Sequence, residues 1–392
     1  RMRHDVLFLC ALLGAIGPAQ AEAARLPSLI PSDPVTNLAL DGDGNRLALF
    51  YCAYAASLNQ NPGVVLEWTG AGWATLSNSV TAQCHDPDVV VRGAVVSGVY
   101  LTDVLDLGSF CLGGACSGGA GIDQDGLREV HTPRAGWAFG FPYATYTQFQ
   151  GALAQDLLFV DALYPALDSL ADPPGTAGAF HCESGCNAVA TPTLAGTNDF
   201  VFAAYRVPSL DCVAVHYESA SGFGHYLCIT QFPAPNARDP EVAVVNGRPV
   251  MLWHESHDGI TSVLGGEYTG PLGEPGNIAF WRTIEQYDSF GADWDRLRVV
   301  STGSELFALL RRGSELTVRR WNGVDSWTTP WQETVSPYPN EPDIGFRNGK
   351  VYVAWRSGSA IEVEEIAVPE PATGALGIAA ALSLARIARR RP

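Results

Sequence analysis

A unit of about 50 residues recurs along this chain, and a repeat of that length leaves few folds open. Each copy starts on a polar residue, often followed by proline. A short alternating strand, a Gly/Asn/Asp turn and a second apolar strand come next. Asp239-Pro240-Glu241-Val242 passes through Asn246-Gly247 into residues 249–253. Glu341-Pro342-Asp343-Ile344 passes through Asn348-Gly349 into 351–355. Asp86-Pro87-Asp88-Val89 leads into Val95–Leu101, and Thr191-Pro192-Thr193-Leu194 into 200–205. Looser copies start at Asn37-Leu38 and Arg296-Leu297, with second strands at 47–51 and 306–310. The interval from Val89 to Leu194 is about twice the usual step. It should hide one more unit, for which 145–150 followed by 157–160 is the best fit.

Third and fourth strands recur too. Residues 64–68 turn through Thr69-Gly70-Ala71-Gly72 into Trp73, and 316–321 turn through Asn322-Gly323-Val324-Asp325 into Trp327. Glycine in such turns supplies the positive φ that tight hairpins need. Four short strands per unit, with no long 3.6-residue period between the terminal segments, predict an all-β chain. The expected architecture is a β-propeller over residues 25–366, with seven four-stranded blades, or six if the 111–186 region is an insertion.

Composition narrows what such a body can do. Asp and Glu number 41 against 24 Lys and Arg, a net charge of −17. No nucleic-acid partner is expected, because that requires a basic footprint. Arg1, Arg3 and His4 precede an apolar run over 6–16, and Ala19-Gln20-Ala21 has the small-x-small cleavage pattern. Residues 1–21 therefore read as a signal peptide. Of nine cysteines, Cys10 would leave with it, and an even set in an exported protein predicts disulfides. Local spacing pairs Cys111 with Cys116, Cys182 with Cys186 and Cys212 with Cys228, leaving Cys52 with Cys84. A zinc site from Cys111, Cys116, His181, Cys182 and Cys186 is the rival, disfavoured in an oxidising compartment. No metal is expected.

The chain's last segment carries Val368-Pro369-Glu370-Pro371, an apolar stretch from Gly374 to Ala388, and Arg389-Arg390-Arg391. This order resembles the PEP-CTERM sorting signal of Gram-negative bacteria, over residues 368–392. The resemblance implies exosortase-type sorting machinery as a partner. It also implies export through the inner membrane to the cell surface or extracellular matrix. About 15 apolar residues make a short hydrophobic helix of ~22 Å. Against a ~30 Å hydrocarbon core that suits only transient anchoring in the inner membrane.

The body's pattern is similar to sialidase-like and five-bladed glycosidase propellers of secreted bacterial proteins. No stretch fits the sialidase Ser-x-Asp-x-Gly-x-x-Trp box; Asn322–Trp327 comes nearest and lacks the serine and the spacing. His85-Asp86-Pro87-Asp88 resembles the strand-opening His-Asp-Pro of arabinanase-type glycosidases, which implies Asp86 as general base. Glu255 could then serve as the protonated partner that inverting hydrolysis needs. Against this, Arg238-Asp239-Pro240 and Asn340-Glu341-Pro342 hold the same repeat position, so blade architecture is the stronger explanation.

Trp253-His254-Glu255-Ser256-His257-Asp258 reads as a loop after a strand, without the His-Glu-x-x-His spacing of zinc proteases. Asp41-Gly42-Asp43-Gly44-Asn45 has the opening rhythm of a Ca²⁺ loop but no downstream bidentate glutamate. A hairpin turn is expected there, and no cofactor, with Ca²⁺ the one conceivable exception. In a propeller, loops before the first strand and after the second share one face. That places His85, Asp86, Arg206, Arg238, Asp239, Trp253, His254, Glu255, Glu341 and Arg356 around one end of the channel. Carboxylates, arginines and an aromatic together suit a glycan or protein ligand. The expected function is a non-catalytic propeller binding extracellular glycan or protein, with a glycoside hydrolase the alternative.

Overall fold

The computed structural model describes residues 23–368 apart from internal stretches, the longest being 122–129, 164–189, 230–236, 272–279 and 288–293. The segments expected as signal peptide and sorting tail lie outside the described residues. Every regular element described is a β-strand, and no helix among the described residues is long and apolar enough to cross a membrane.

The strands form antiparallel sheets of neighbours in sequence. Sheet 1 holds Val35–Asp43, Arg46–Ala53, Gly63–Trp68 and Trp73–Ser77. Sheet 2 holds His85–Arg92, Val95–Leu101, Leu107–Gly113 and Cys116–Gly121. Sheet 3 has three described strands, Val130–Ala138, Phe141–Gln150 and Gln155–Ala162. Sheet 4 holds Ala190–Gly196, Phe200–Val207, Cys212–Ser219 and Gly222–Cys228. Sheet 5 holds Arg238–Val245, Arg248–His257, Ile260–Tyr268 and Trp281–Tyr287. Sheet 6 holds Arg296–Ser301, Leu306–Arg312, Glu315–Trp321 and Trp327–Thr334. Sheet 7 holds Asn340–Arg347, Lys350–Ser357 and Ala360–Ala367, and takes Ala23–Arg25 as its outermost strand.

The first strand of each sheet touches the first strands on either side, and the set closes into a ring. This is a β-propeller. Of the seven four-stranded blades expected, six are four-stranded among the described residues, and sheet 3 has three described strands. The ring is closed by Ala23–Arg25 pairing with the strand that ends at Ala367, in the register Ala23 to Ile366. Arg25 pins this junction through Glu333 at 2.7 Å and through the Trp355 ring at 5.4 Å.

Alternation explains why sheets this short hold. Both faces of a strand are apolar, so each sheet is stable only when sandwiched. Phe50 and Val65 of sheet 1 pack with Val89, Val91, Tyr100 and Phe110 of sheet 2. The Phe50 and Phe110 rings meet edge-on at 4.9 Å. Burying side chains of that size stabilises by about 1.5–3 kcal/mol each. The Asn246-Gly247 and Asn348-Gly349 turns sit at φ of 52° and 74°, and 51° and 76°. Both residues in the left-handed region is the primed hairpin geometry, as the Asn-Gly pairs predict.

Three expectations need correction. The hidden unit does lie in the doubled interval, but 145–150 and 157–160 belong to its second and third strands. Its first strand is Val130–Ala138, concealed because Arg134 and Gly136 interrupt the apolar pattern. Residues 254–257 continue the strand rather than forming a loop, since Arg248–His257 pairs with Ile260–Tyr268 along its length. The Cys52–Cys84 and Cys212–Cys228 disulfides are both present. In the second, however, Cys228 stands opposite Ala214, so the bridge is diagonal rather than direct. Cys111 is disulfide-bonded as well; the Cys116 side chain, Cys182 and Cys186 lie outside the described residues.

Candidate functional site

The motif that opens each unit has a backbone cause. Asp86, Thr132, Thr191, Asp239 and Glu341 each precede a proline and each have φ between 40° and 49°. A non-glycine residue in the left-handed region costs of order 1 kcal/mol or more, so its fivefold recurrence marks something the ring requires. The consequence is visible in the pairing. Register breaks between His85 and Asp88, His131 and Arg134, Ala190 and Thr193, Arg238 and Glu241, and Asn340 and Asp343. The bulge inserts proline, which has no N–H to give to a ladder, and re-aims the residue after it.

Those re-aimed residues line the channel. Asp88, Arg134, Thr193, Glu241 and Asp343, joined by Asp41 and Arg298 from the two first strands without a proline bulge, face one central cavity. Each innermost strand thus contributes one polar group to a belt around the lumen. Asp343 Oδ2 accepts from the Leu40 amide at 2.8 Å, Asp41 Oδ2 from Val91 at 2.7 Å, and Asp88 Oδ2 from Ala135 at 2.7 Å. On the other side of the ring, Thr193 donates to Glu241 at 3.4 Å and Arg298 Nη1 donates to Glu241. Arg298 Nε lies 3.7 Å from Asp343.

Removal from water shapes the acidities here. Burial pushes the Asp41 carboxyl up to about 8, opposed by the Val91 and Gly42 amides and reinforced by Asp88 and Asp343. Asp88 is pushed to about 6 by burial, with the Arg134 charge pulling the other way. Arg298 loses to burial but gains more from Glu241, Asp343 and Asp88, and ends above the usual arginine range.

The channel has two unlike ends. The central cavity, about 790 Å³, extends toward the turns that follow the first strands, reaching Gly44, Arg92, Trp137, Asn198, Gly247 and Gly303. A separate pocket of about 110 Å³ lies toward the prolines, lined by Thr191, Asp239, Pro240, Asp295 and Arg296. Arg134, Glu241 and Arg298 line both and form part of the partition.

The ten residues expected on one face divide between several settings. Register puts Arg206 opposite Ala190, His254 opposite Arg238 and Arg356 opposite Asn340, all at the proline end. There His254 Nδ1 lies 3.4 Å from Asp239 Oδ2, which also neighbours Arg238 at 3.8 Å. His254 with its hydrogen bond leads the pull that takes Asp239 below the usual carboxylate range against its burial. Glu341 lies 3.5 Å from Arg296, and Arg356 donates to the Val35 carbonyl at 2.9 Å. His85 Nε2 is 3.3 Å from Asn61 Nδ2. Trp253 is instead buried between sheets 4 and 5 with Tyr217, Val242 and Met251.

Asp86 and Glu255 belong to sheets 2 and 5, separated by two intervening sheets, and line neither cavity. Asp86 accepts from Asn37 and Glu255 from its neighbour Trp253, each at 3.3 Å. Asp43, in the stretch with a Ca²⁺-loop rhythm, accepts from the Gly93 amide at 2.7 Å. That stretch is a strand end and hairpin turn, and no metal-holding cluster occurs among the described residues. The sequence reading missed the belt and Arg296. The available signal was position: the residue after each proline is polar, where the strand's alternation faces the ring axis.

No protein-family model matches the chain, and neither does any curated protein. Among solved structures, the β-propeller domain of Cps50 (Swd1) from Myceliophteria thermophila aligns with a TM-score of 0.51 at 13% identity. The match covers 88% of this chain and 100% of that one. The Dos1 propeller aligns at 0.48 and 8% identity, over 88% of this chain and 94% of that one. A thermostable family-43 glycoside hydrolase aligns at 0.37 and 12% identity, over 67% of this chain and 96% of that one. Identities this low speak to the fold alone, and the last two alignments are too distant to support any argument.

Proposed function

We propose that this chain is a non-catalytic β-propeller that takes an extracellular glycan into its central cavity at the turn end of the channel. The observation that carries this reading is the commitment of the lumen's carboxylates. Asp41, Asp88 and Asp343 each hold an amide of the neighbouring strand, and Glu241 holds Arg298. Acids engaged in joining blades are poorly placed to give or take a proton in each turnover. The cavity's rim meanwhile offers Trp137, Arg92, Ser301, Thr302 and Asn198, an aromatic face beside hydrogen-bonding groups, which is the surface a sugar ring needs.

The two disulfides fit an oxidising, exported setting. With the PEP-CTERM-like tail they support a place at the cell surface, reached through exosortase-type sorting. A hydrolase using Asp86 and Glu255 would need both carboxyls across one pocket, 6.5–9.5 Å apart on the inverting pattern, and neither lines the central cavity or the smaller pocket.

Glycan-array and calorimetric binding with the full chain tests the proposal. The paired Trp137→Ala and Arg92→Ala substitutions should weaken glycan binding by about tenfold or more, from the loss of a stacking face and a charged donor. Binding that survives both substitutions would defeat the proposed location. Turnover of a polysaccharide that disappears in Asp86→Asn would defeat the non-catalytic reading, and binding only to peptides would replace the ligand class.

A further inference from the structure

The small pocket at the proline end has a chemistry of its own. Thr191 Oγ1, Arg296 Nε and Arg298 Nη2 are buried and have no hydrogen-bond partner among the described residues. All three residues line the same cavity of about 110 Å³. They come from sheets 4 and 6, and Pro240 of sheet 5 lines the pocket with them. A buried donor without an acceptor is costly, and more so when charged. Three in one small space therefore describe a site that wants a multidentate acceptor.

Charge points the same way. Arg134, Arg296 and Arg298 line this pocket together. Burial, joined by the neighbouring Arg298 and Arg134 charges, takes Arg296 down to about 9 despite the opposing pull of Glu341 and Asp343. The carboxylates in the lining are already occupied. Asp295 accepts from Arg311 at 2.6 Å and Tyr338 at 2.9 Å; Asp239 faces His254, and Glu241 accepts from Arg298. Arg298 is itself nine-tenths buried, with 10% of its side chain exposed, whereas Arg296 keeps 25% and leaves a way in.

We infer that this pocket binds a small oxyanion, a carboxylate, sulfate or phosphate group held by Thr191 Oγ1, Arg296 Nε and Arg298 Nη2. The volume has room for several water-sized groups, which is the scale of one such anion. The site lies across the belt from the glycan cavity and does not depend on it. Because Arg298 reaches both, it is the residue through which occupancy of one could be felt in the other.

Titrating the full chain with sodium sulfate and with sodium acetate, against sodium chloride at matched ionic strength, tests the inference by calorimetry and thermal unfolding. A saturable response to sulfate, acetate or both, absent with chloride, is expected. Sulfate alone or both would indicate a free inorganic anion, and acetate alone the carboxylate of a larger ligand. Arg296→Gln and Thr191→Val should each weaken the response by about tenfold, the loss of one donor to a charged group. Thr191→Ser should retain it, and Trp137→Ala should leave it unchanged. If Arg296→Gln does not fold, the Thr191 pair decides alone. No response beyond chloride, or equal responses in wild type and Thr191→Val, would overturn the site and leave ordered water as the donors' partner.

Discussion

The two halves of the inner ring are joined by different chemistry. From sheet 7 through sheets 1 and 2 to sheet 3, carboxylates of one first strand cap amides of the next: Asp343 to Leu40, Asp41 to Val91, Asp88 to Ala135. From sheet 4 through 5 and 6 back to 7, side chains meet side chains: Thr193 with Glu241, Glu241 with Arg298, Arg298 with Asp343. The first half answers one problem. The channel-facing edge of a first strand has amides with no ladder partner, and an orphaned buried amide is costly. The first half caps those amides directly and in doing so buries Asp41 and Asp88, whose carboxyls are pushed up by that burial. The second half buries charge against charge, which stabilises only while both partners are present.

The largest effect should come from breaking the ion-paired half. Arg298→Met leaves Glu241 and Asp343 buried without their cation and should cost about 3–5 kcal/mol in denaturant unfolding. Adding Glu241→Gln should recover part of that loss; a cost below about 1 kcal/mol would mean the pairs contribute little.

In the amide-capping half, Asp88→Ala orphans the Ala135 amide and should cost about 1–3 kcal/mol, whereas Asp88→Asn keeps an acceptor and should cost clearly less. Equal losses in the two variants would show that the hydrogen bond is not what matters.

The smallest effect is a dependence on pH. Asp41 titrates near 3.8 when unfolded and at about 8 when folded. Between those values the native state holds the extra proton, so stability is fully present below pH 4 and lost as pH rises toward 8. Asp88, at about 6 when folded, adds the same sign over a narrower window. Asp41→Asn should flatten the slope and unfold later than wild type above pH 8, by about 1–2 kcal/mol after allowing for cavity water. A variant whose stability fell with pH as steeply as wild type would place the titration elsewhere.

Much of the blade was readable because it is local. Asn246-Gly247 and Asn348-Gly349 announce hairpins through a backbone geometry that few other residue pairs tolerate. Trp68 with Trp73 and Trp321 with Trp327 mark third-to-fourth strand pairs, and their rings meet at 5.5 and 6.4 Å. The same corner recurs as Tyr268 and Trp281, at 5.6 Å, without a short turn to advertise it. Sheet 3 was harder to find because Arg134 breaks the apolar alternation of its first strand. His131-Thr132-Pro133 repeats the Thr191-Pro192 signature but lacks the acid that made the other copies stand out.

The sequence by itself determined the repeat, its strands and turns, and two of the disulfides, since each depends on neighbours along the chain. Only the tertiary structure decided which residues face the axis. The bulge at each proline turns the following residue inward, and curvature brings five such residues, with Asp41 and Arg298, from along the chain to one belt. It also decided that the large cavity lies at the turn end, opposite the face where titratable residues cluster in sequence. Composition at a loop shows which groups a face carries; where a ring leaves open space depends on how its strands tilt and pack.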